Sequence, residues 1–229
     1  MKDEYAYVTG NVARLRGAIE ECARRAGRKA SEITLVAVSK DHPVEAVNSA
    51  VRAGVRQIGE SRVQEAEGKF AGLRREFTLR MVGHLQRNKA GKAARLFDAV
   101  DSVDSMRLAE KLNDEMKDRG GVMPVLVQVN VTADPAKGGF AAGELPGALD
   151  ECAKMKNLKV EGLMTIGPLT DDAAAVRDSF REMKRIFDEQ KTRRRGLRIL
   201  SMGMSDDFEI AVEEGSTMLR IGRAVFERR

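Results

Sequence analysis

The stretch Ile33-Thr34-Leu35-Val36-Ala37-Val38-Ser39-Lys40 is dominated by apolar residues and ends on a hydroxyl and an amine. Apolarity without polar alternation is what a parallel strand covered on both faces requires. Pro43, suited to the first turn of a helix, comes next, and Gly54 stops the helix it opens. The same strand-then-helix unit recurs outward from this point. A leader helix is expected over residues 5–26 and the first strand over 33–38. Further strands are expected at 56–58, 78–82, 99–103, 124–131, 159–165, 197–201 and 217–221. Helices are expected between them at 61–75, 88–96, 105–117, 145–156, 172–190 and 206–214. Eight such units imply parallel pairing with right-handed crossovers, and eight strands close a barrel. The rival, an open doubly wound sheet, lacks its Gly-x-Gly-x-x-Gly turn after the first strand. The expected fold is one (β/α)8 TIM barrel: a leader over 1–28, a barrel over 33–229, and no linker dividing them.

Composition excludes several function classes. No apolar run approaches the ~20 residues that span a bilayer. The start, Met-Lys-Asp-Glu, has no apolar core and is not a secretory signal. Cys22 and Cys152 stand alone in helical stretches, which suggests neither a disulfide frame nor a zinc site and points to a reducing, cytoplasmic setting. The net charge is +5 with signs interspersed, and the one basic cluster is Lys191, Arg193, Arg194 and Arg195. Nucleic-acid grooves interleave cations with stacking aromatics, whereas here aromatics are 4% and none flanks the cluster. The cluster reads as a solvated helix end whose cations favour the C-terminal dipole. His42 and His84 have no partner at ligand spacing, so no metal is expected.

In a barrel, residues at strand C-terminal ends face the site. Lys40 is one, and a lysine there is expected to be partly desolvated, which favours the free amine as a nucleophile toward carbonyls. A lysine snorkelling at a strand end is the ordinary alternative. The loops after the last two strands, Ser201-Met202-Gly203-Met204-Ser205 and Ile221-Gly222-Arg223, suit phosphate. Barrels bind it there through backbone N–H groups, glycines allow close approach, and Ser201 supplies a hydroxyl. Both loops also read as ordinary turns. Asp206-Asp207 would repel an anion if aimed at it, and Asp206 reads as a helix N-cap. Asn88-Lys89 reads as a cap more than as a site wall. Met81, Met164, Met202 and Met204 are expected to pack the core and mouth.

Taken in order, the motifs are specific. Ala37-Val38-Ser39-Lys40, Gly59-Glu60-Ser61-Arg62-Val63-Gln64-Glu65 and Gly83-His84-Leu85-Gln86-Arg87-Asn88-Lys89 come first, then Gln128-Val129-Asn130-Val131 and Gly162-Leu163-Met164-Thr165. Leu200-Ser201-Met202-Gly203-Met204-Ser205-Asp206-Asp207 and Gly215-Ser216-Thr217-Met218-Leu219-Arg220-Ile221-Gly222 complete the set. Over almost the whole chain after the leader helix, it resembles the pyridoxal phosphate homeostasis proteins (YggS/PROSC type), relatives of the alanine racemase barrel domain. The resemblance implies pyridoxal 5′-phosphate (PLP) as a Schiff base on Lys40. It implies phosphate held by Ser201 and the backbone around Gly222 and Arg223, with Met202, Gly203, Met164 and Ser61 nearby and Arg220 beside the pyridine nitrogen. The implied role is intracellular vitamin B6 homeostasis without clear turnover. Three positions depart from the family's usual pattern: Ser61 for Asn, Arg80 for His and Glu227 for Gly.

The resemblance leaves an enzyme as the alternative, a PLP-dependent racemase-like activity. Arginine offers no acceptor to a pyridine nitrogen, which leaves that ring a weak electron sink. Two-base racemisation needs an acid/base opposite the lysine. In alanine racemases this is a tyrosine brought by a partner with a second domain. Here the only tyrosines are Tyr5 and Tyr7 in the leader, and the chain stops soon after the eighth strand. A monomeric carrier that exchanges PLP with apoenzymes is therefore expected.

Overall fold

The computed structural model describes residues 4–228. Eight parallel strands close into one barrel in the order β1-β2-β3-β4-β5-β6-β7-β8. They are β1 Thr34–Val38, β2 Gln57–Glu60, β3 Thr78–Met81, β4 Ala99–Val103, β5 Met123–Gln128, β6 Leu158–Met164, β7 Ile199–Ser201 and β8 Met218–Ile221. β1 closes the ring on β8, with Val36 opposite Arg220 and Ala37 opposite Ile221. The helices are α1 Ala6–Arg25, α2 Val44–Arg52, α3 Val63–Phe70, α4 Ala90–Leu96, α5 Met106–Asp118, α6 Leu145–Ala153, α7 Ala173–Arg193, α8 Phe208–Glu213 and α9 Arg223–Phe226. The TIM barrel with an N-terminal helix is the fold expected from the sequence.

Alternation along the strands sorts the apolar residues into two populations. Val36, Val82, Leu126, Met164 and Met218 meet inside the barrel, with Val38, Ile166 and Ile199 against them. Ala37, Ile58, Leu79, Val100, Val125, Leu163, Leu200 and Leu219 face the helices and form the larger core. Gly59 makes the inner packing possible: a Cβ there would stand 3.0 Å from a Val36 methyl and 3.2 Å from those of Val82. In α1, Val8, Val12, Leu15, Ile19 and Cys22 form one buried stripe at three- and four-residue spacing. That stripe seats α1 against α2, α8 and α9. Asn11 ties the same helix to α9, donating to the carbonyls of Val225 at 2.9 Å and Glu227 at 2.8 Å.

Several local expectations are corrected. The helix expected over 61–75 ends at Phe70, because the chain turns at Gly72 with φ +73°. Asn88 lies in a 3-10 turn and caps nothing through its side chain. Asp207, not Asp206, holds the N-cap position of α8, and its Oδ1 accepts from the Met204 N–H at 2.5 Å. Asp206 instead pairs with Arg223. Met202 and Met81 lie in the outer core, within the core-and-mouth expectation. The basic cluster is a helix end, as expected: α7 stops at Arg193, and Arg194 turns back to Asp150, the Pro146 carbonyl and Gln190. Both cysteines are free and buried, in α1 and α6. Among the described residues no helix is long and apolar enough to cross a membrane, and no cluster of metal-binding side chains occurs.

Candidate functional site

Register decides which side chains reach the barrel mouth. Val36 and Val38 face inward, and Ser39 faces outward, where its hydroxyl donates to Glu60 Oε1 at 2.6 Å. Lys40 therefore takes the inward register, one step above Val38. The first strand's ladder persists to its door, since the Ser39 N–H still donates to the Gly59 carbonyl. Asp41 follows with φ +62°, an uncommon backbone for a residue with a side chain. The lysine is less buried than expected. Its side chain is 44% exposed, and its ammonium lies 3.5 Å from Asp41 Oδ2 at the rim. The strand ends two residues before Lys40, so the turn lifts the stem out of the packed interior.

The mouth holds a cavity of about 770 Å³. Val38, Val82, Gly83 and Ser61 wall it on the β1–β3 side, and Arg220, Gly222 and Arg223 on the β8 side. Met204, Ser205, Asp206 and Asp207 come from the loop after β7, and Ile166, Pro168, Leu169 and Thr170 from the loop after β6. Leu169 in that last loop is fully exposed. Gly83 presses on Ser61 so closely that an added Cβ would stand 2.4 Å from the Ser61 carbonyl oxygen. A second cavity, about 500 Å³, lies at the strand starts between α1, β1 and the α2–β2 turn. In barrels that end serves stability rather than chemistry.

Arg220 is the buried charge of the mouth. It donates to Ser201 Oγ at 2.7 Å and to the Thr165 carbonyl at 2.8 Å. Burial pulls its pKa below the ordinary arginine value, opposed by Asp101 and Asp207, yet a guanidinium stays charged at any working pH. One inward step toward the strand starts lies a second buried cation, Arg80. Its Nε and one terminal nitrogen grip Asp101 at 2.8 and 2.6 Å, and Gln57 accepts at 3.3 Å. Burial alone would lower the Arg80 pKa, but the Asp101 carboxylate reverses the sign and raises it.

The sequence-derived site residues are thus brought together unequally. Ser61, Arg220, Gly222 and Arg223 line the mouth cavity, whereas Lys40 stands at the rim outside its lining. Ser201 is fully buried beneath it, with its oxygen engaged by Arg220. Met164 belongs to the inner packing below the cavity. Gly203, at φ +98°, packs on Ala211 and Leu219 and gives its carbonyl to the Arg220 N–H. The hydroxyl that lines the cavity beside the Gly222–Arg223 turn is Ser205, which sequence reasoning passed over. Its Oγ accepts the Ala224 N–H at 3.4 Å. The Val225 and Phe226 amides bond the Gly222 carbonyl, so Arg223 carries the remaining amide of the four that open α9. The two aspartates beside this turn are already committed, Asp206 to Arg223 and Asp207 to the Met204 amide.

The alanine racemase N-terminal domain family matches residues 13–228. The pyridoxal phosphate homeostasis protein of Escherichia coli strain K12 is 37% identical over 230 residues, covering 97% of each chain. The chain belongs to the pyridoxal phosphate homeostasis protein family. Solved structures agree on the shape. A protein of unknown function from Bifidobacterium adolescentis superposes with a TM-score of 0.94 at 32% identity, covering 99% of this chain and 97% of the other. PipY of Synechococcus elongatus, solved with PLP bound, gives 0.83 at 35% identity, covering 96% and 99%. The mouth cavity brings Val38 at the end of β1 together with the loops after β7 and β8, and Lys40 stands at the rim outside its lining.

Proposed function

We propose that this protein holds PLP as a Schiff base on Lys40 and carries it in vitamin B6 homeostasis without turning over a substrate. The observation that carries the reading is the arrangement at the mouth: Lys40 at the rim, two residues beyond the wall residue Val38, and across the cavity a small turn with an open amide and the Ser205 hydroxyl. The cavity between them suits a ligand of this size. Bound PLP would supply an aldehyde and a conjugated ring that stores electrons. Lys40 would hold the aldehyde carbon through its amine. Ser205 and the Arg223 amide receive the phosphate, while Ser201 acts through Arg220. Ser61, shorter than the family's usual asparagine, leaves its wall of the cavity wider.

Carriage is favoured over turnover by the lining itself. Among the described residues that line the mouth cavity there is no tyrosine, histidine or cysteine to serve as a second base opposite the lysine. Tyr7 spends its hydroxyl on the Phe226 carbonyl at 3.0 Å. PLP-dependent apoenzymes are the partners on this reading, the protein works as a cytoplasmic monomer, and residues 1–229 act as one unit.

The test is the absorption spectrum of purified protein with PLP, followed by borohydride reduction and peptide mapping. A reducible band fixed on Lys40 and lost in Lys40→Ala is expected. No band in the wild type, or a fixed adduct on another residue, overturns the reading. Loss of chirality in alanine or another amino acid at ~1–1000 per second would overturn the carrier assignment.

A further inference from the structure

Lys69 sits on the inner side of α3, beside the buried residues Ala66 and Phe70, and its side chain is 13% exposed. An ammonium has three protons to donate, and all three are used. They go to the Ser39 carbonyl at 2.7 Å, Glu60 Oε1 at 2.8 Å and Glu65 Oε1 at 2.6 Å. The first of these belongs to the peptide unit that enters Lys40. The peptide unit that leaves Lys40 is held as well, because the Asp41 N–H donates to the same Glu65 oxygen at 2.6 Å. Glu65 and Lys69 lie four residues apart on one helix face, the spacing at which such pairs support each other.

We propose that Lys69, together with Glu65, is a positioning residue that fixes both peptide units flanking Lys40 and so presets its amine over the barrel mouth. The inference rests on Lys40 being the cofactor lysine. The clamp answers a specific need. The strand ladder stops at Ser39, and the next residue but one, Asp41, adopts a left-handed backbone that a non-glycine residue enters at a cost. Without external ties the turn carrying Lys40 would be free to relax, and the long lysine stem would sample directions away from the cavity. Lys69 and Glu65 supply those ties from a separate, packed element. Glu60 completes the arrangement by receiving both the Ser39 hydroxyl and the Lys69 ammonium on one oxygen. None of the three side chains lines the mouth cavity, so they act through the backbone of the lysine turn.

The experiment compares Lys69→Met, Glu65→Ala and Glu65→Gln with the wild type in two measurements. The first is the rate of covalent attachment of PLP, followed by absorbance and confirmed at Lys40 by borohydride fixing. The second is the affinity for pyridoxine 5′-phosphate, which lacks the aldehyde and reports the cavity alone. Lys69→Met and Glu65→Ala are expected to slow attachment by about tenfold, the scale of a misplaced reacting group. Their affinity for pyridoxine 5′-phosphate stays at the wild-type value, which a general loss of structure would not allow. Glu65→Gln keeps an acceptor for the Asp41 amide and is expected to recover most of the rate. Wild-type attachment rates in folded Lys69→Met and Glu65→Ala overturn the proposal. If Lys69→Met does not fold, Glu65→Ala decides alone, since that side chain lies at the partly exposed edge of α3. Failure of the wild type itself to attach PLP at Lys40 is a different result and overturns the cofactor reading instead.

Discussion

Arg220 on β8 donates to the Ser201 hydroxyl on β7 across 2.7 Å, so the serine expected to meet a phosphate already receives a guanidinium. The two serines differ in depth, since Ser201 is still within its strand and Ser205 lies in the loop above. Ser201→Ala is expected to cost about 1–3 kcal/mol of stability by taking an acceptor from a buried cation. Ser205→Ala is expected to weaken pyridoxine 5′-phosphate binding by about tenfold, the scale of a lost hydrogen bond to a charged group. Urea unfolding and equilibrium binding on both variants check the division of roles, and the reverse pattern would return the phosphate to Ser201.

The Arg80–Asp101 pair is buried and bidentate inside the barrel. Removing one member leaves the other charge without its counter-ion. Asp101→Ala is therefore expected to lose about 3–5 kcal/mol in urea unfolding. The double variant Arg80→Met, Asp101→Leu is expected to recover most of that loss, because two apolar side chains leave no charge unpaired.

Cys152 is buried on α6, and burial pushes its thiol from 9.0 to about 11. The sign follows from proton binding: the folded state holds the proton more tightly than the unfolded chain. The resulting stabilisation is fully present below pH 9.0 and is lost as pH rises through about 11. Its ceiling is about 3 kcal/mol. Wild type and Cys152→Ala compared by urea unfolding between neutral and alkaline pH should converge by that amount. A constant difference across the range would refute the assignment.

Gly83→Ala introduces a Cβ that meets the Ser61 carbonyl oxygen at 2.4 Å, a backbone atom with no rotamer to escape into. The β2 and β3 loops must then separate, and Gly83 also gives its carbonyl to the Ser102 hydroxyl at 2.6 Å. A loss of about 1–3 kcal/mol is expected, with weaker pyridoxine 5′-phosphate binding because both residues line the mouth. Thermal melts and binding titrations measure the two effects separately.

The barrel was legible because its strands are short apolar runs set off by turn residues, and β4, buried at all five positions, matches its expected bounds. The rim position of Lys40 was legible for a related reason, since it comes two residues after such a run. Depth was not legible: Ser201 and Ser205 look alike in one dimension. Nor were pairings between separate elements and loops, such as Arg80 with Asp101, His84 with Asp104 at 2.8 Å, or Asp206 with Arg223. These partners lie about twenty residues apart, beyond the reach of spacing rules within one element. The exposure of Lys40 depended on where the ladder ended, which only the folded turn fixes.

The inner layer of Val36, Val82, Leu126, Met164 and Met218, with the Arg80–Asp101 pair on its far side, makes the barrel a blind cup rather than a pipe. Whatever occupies the mouth enters and departs through the same opening. On the carrier role proposed above, loading and unloading alternate at the one face where the β6, β7 and β8 loops converge, and traffic is governed at that rim.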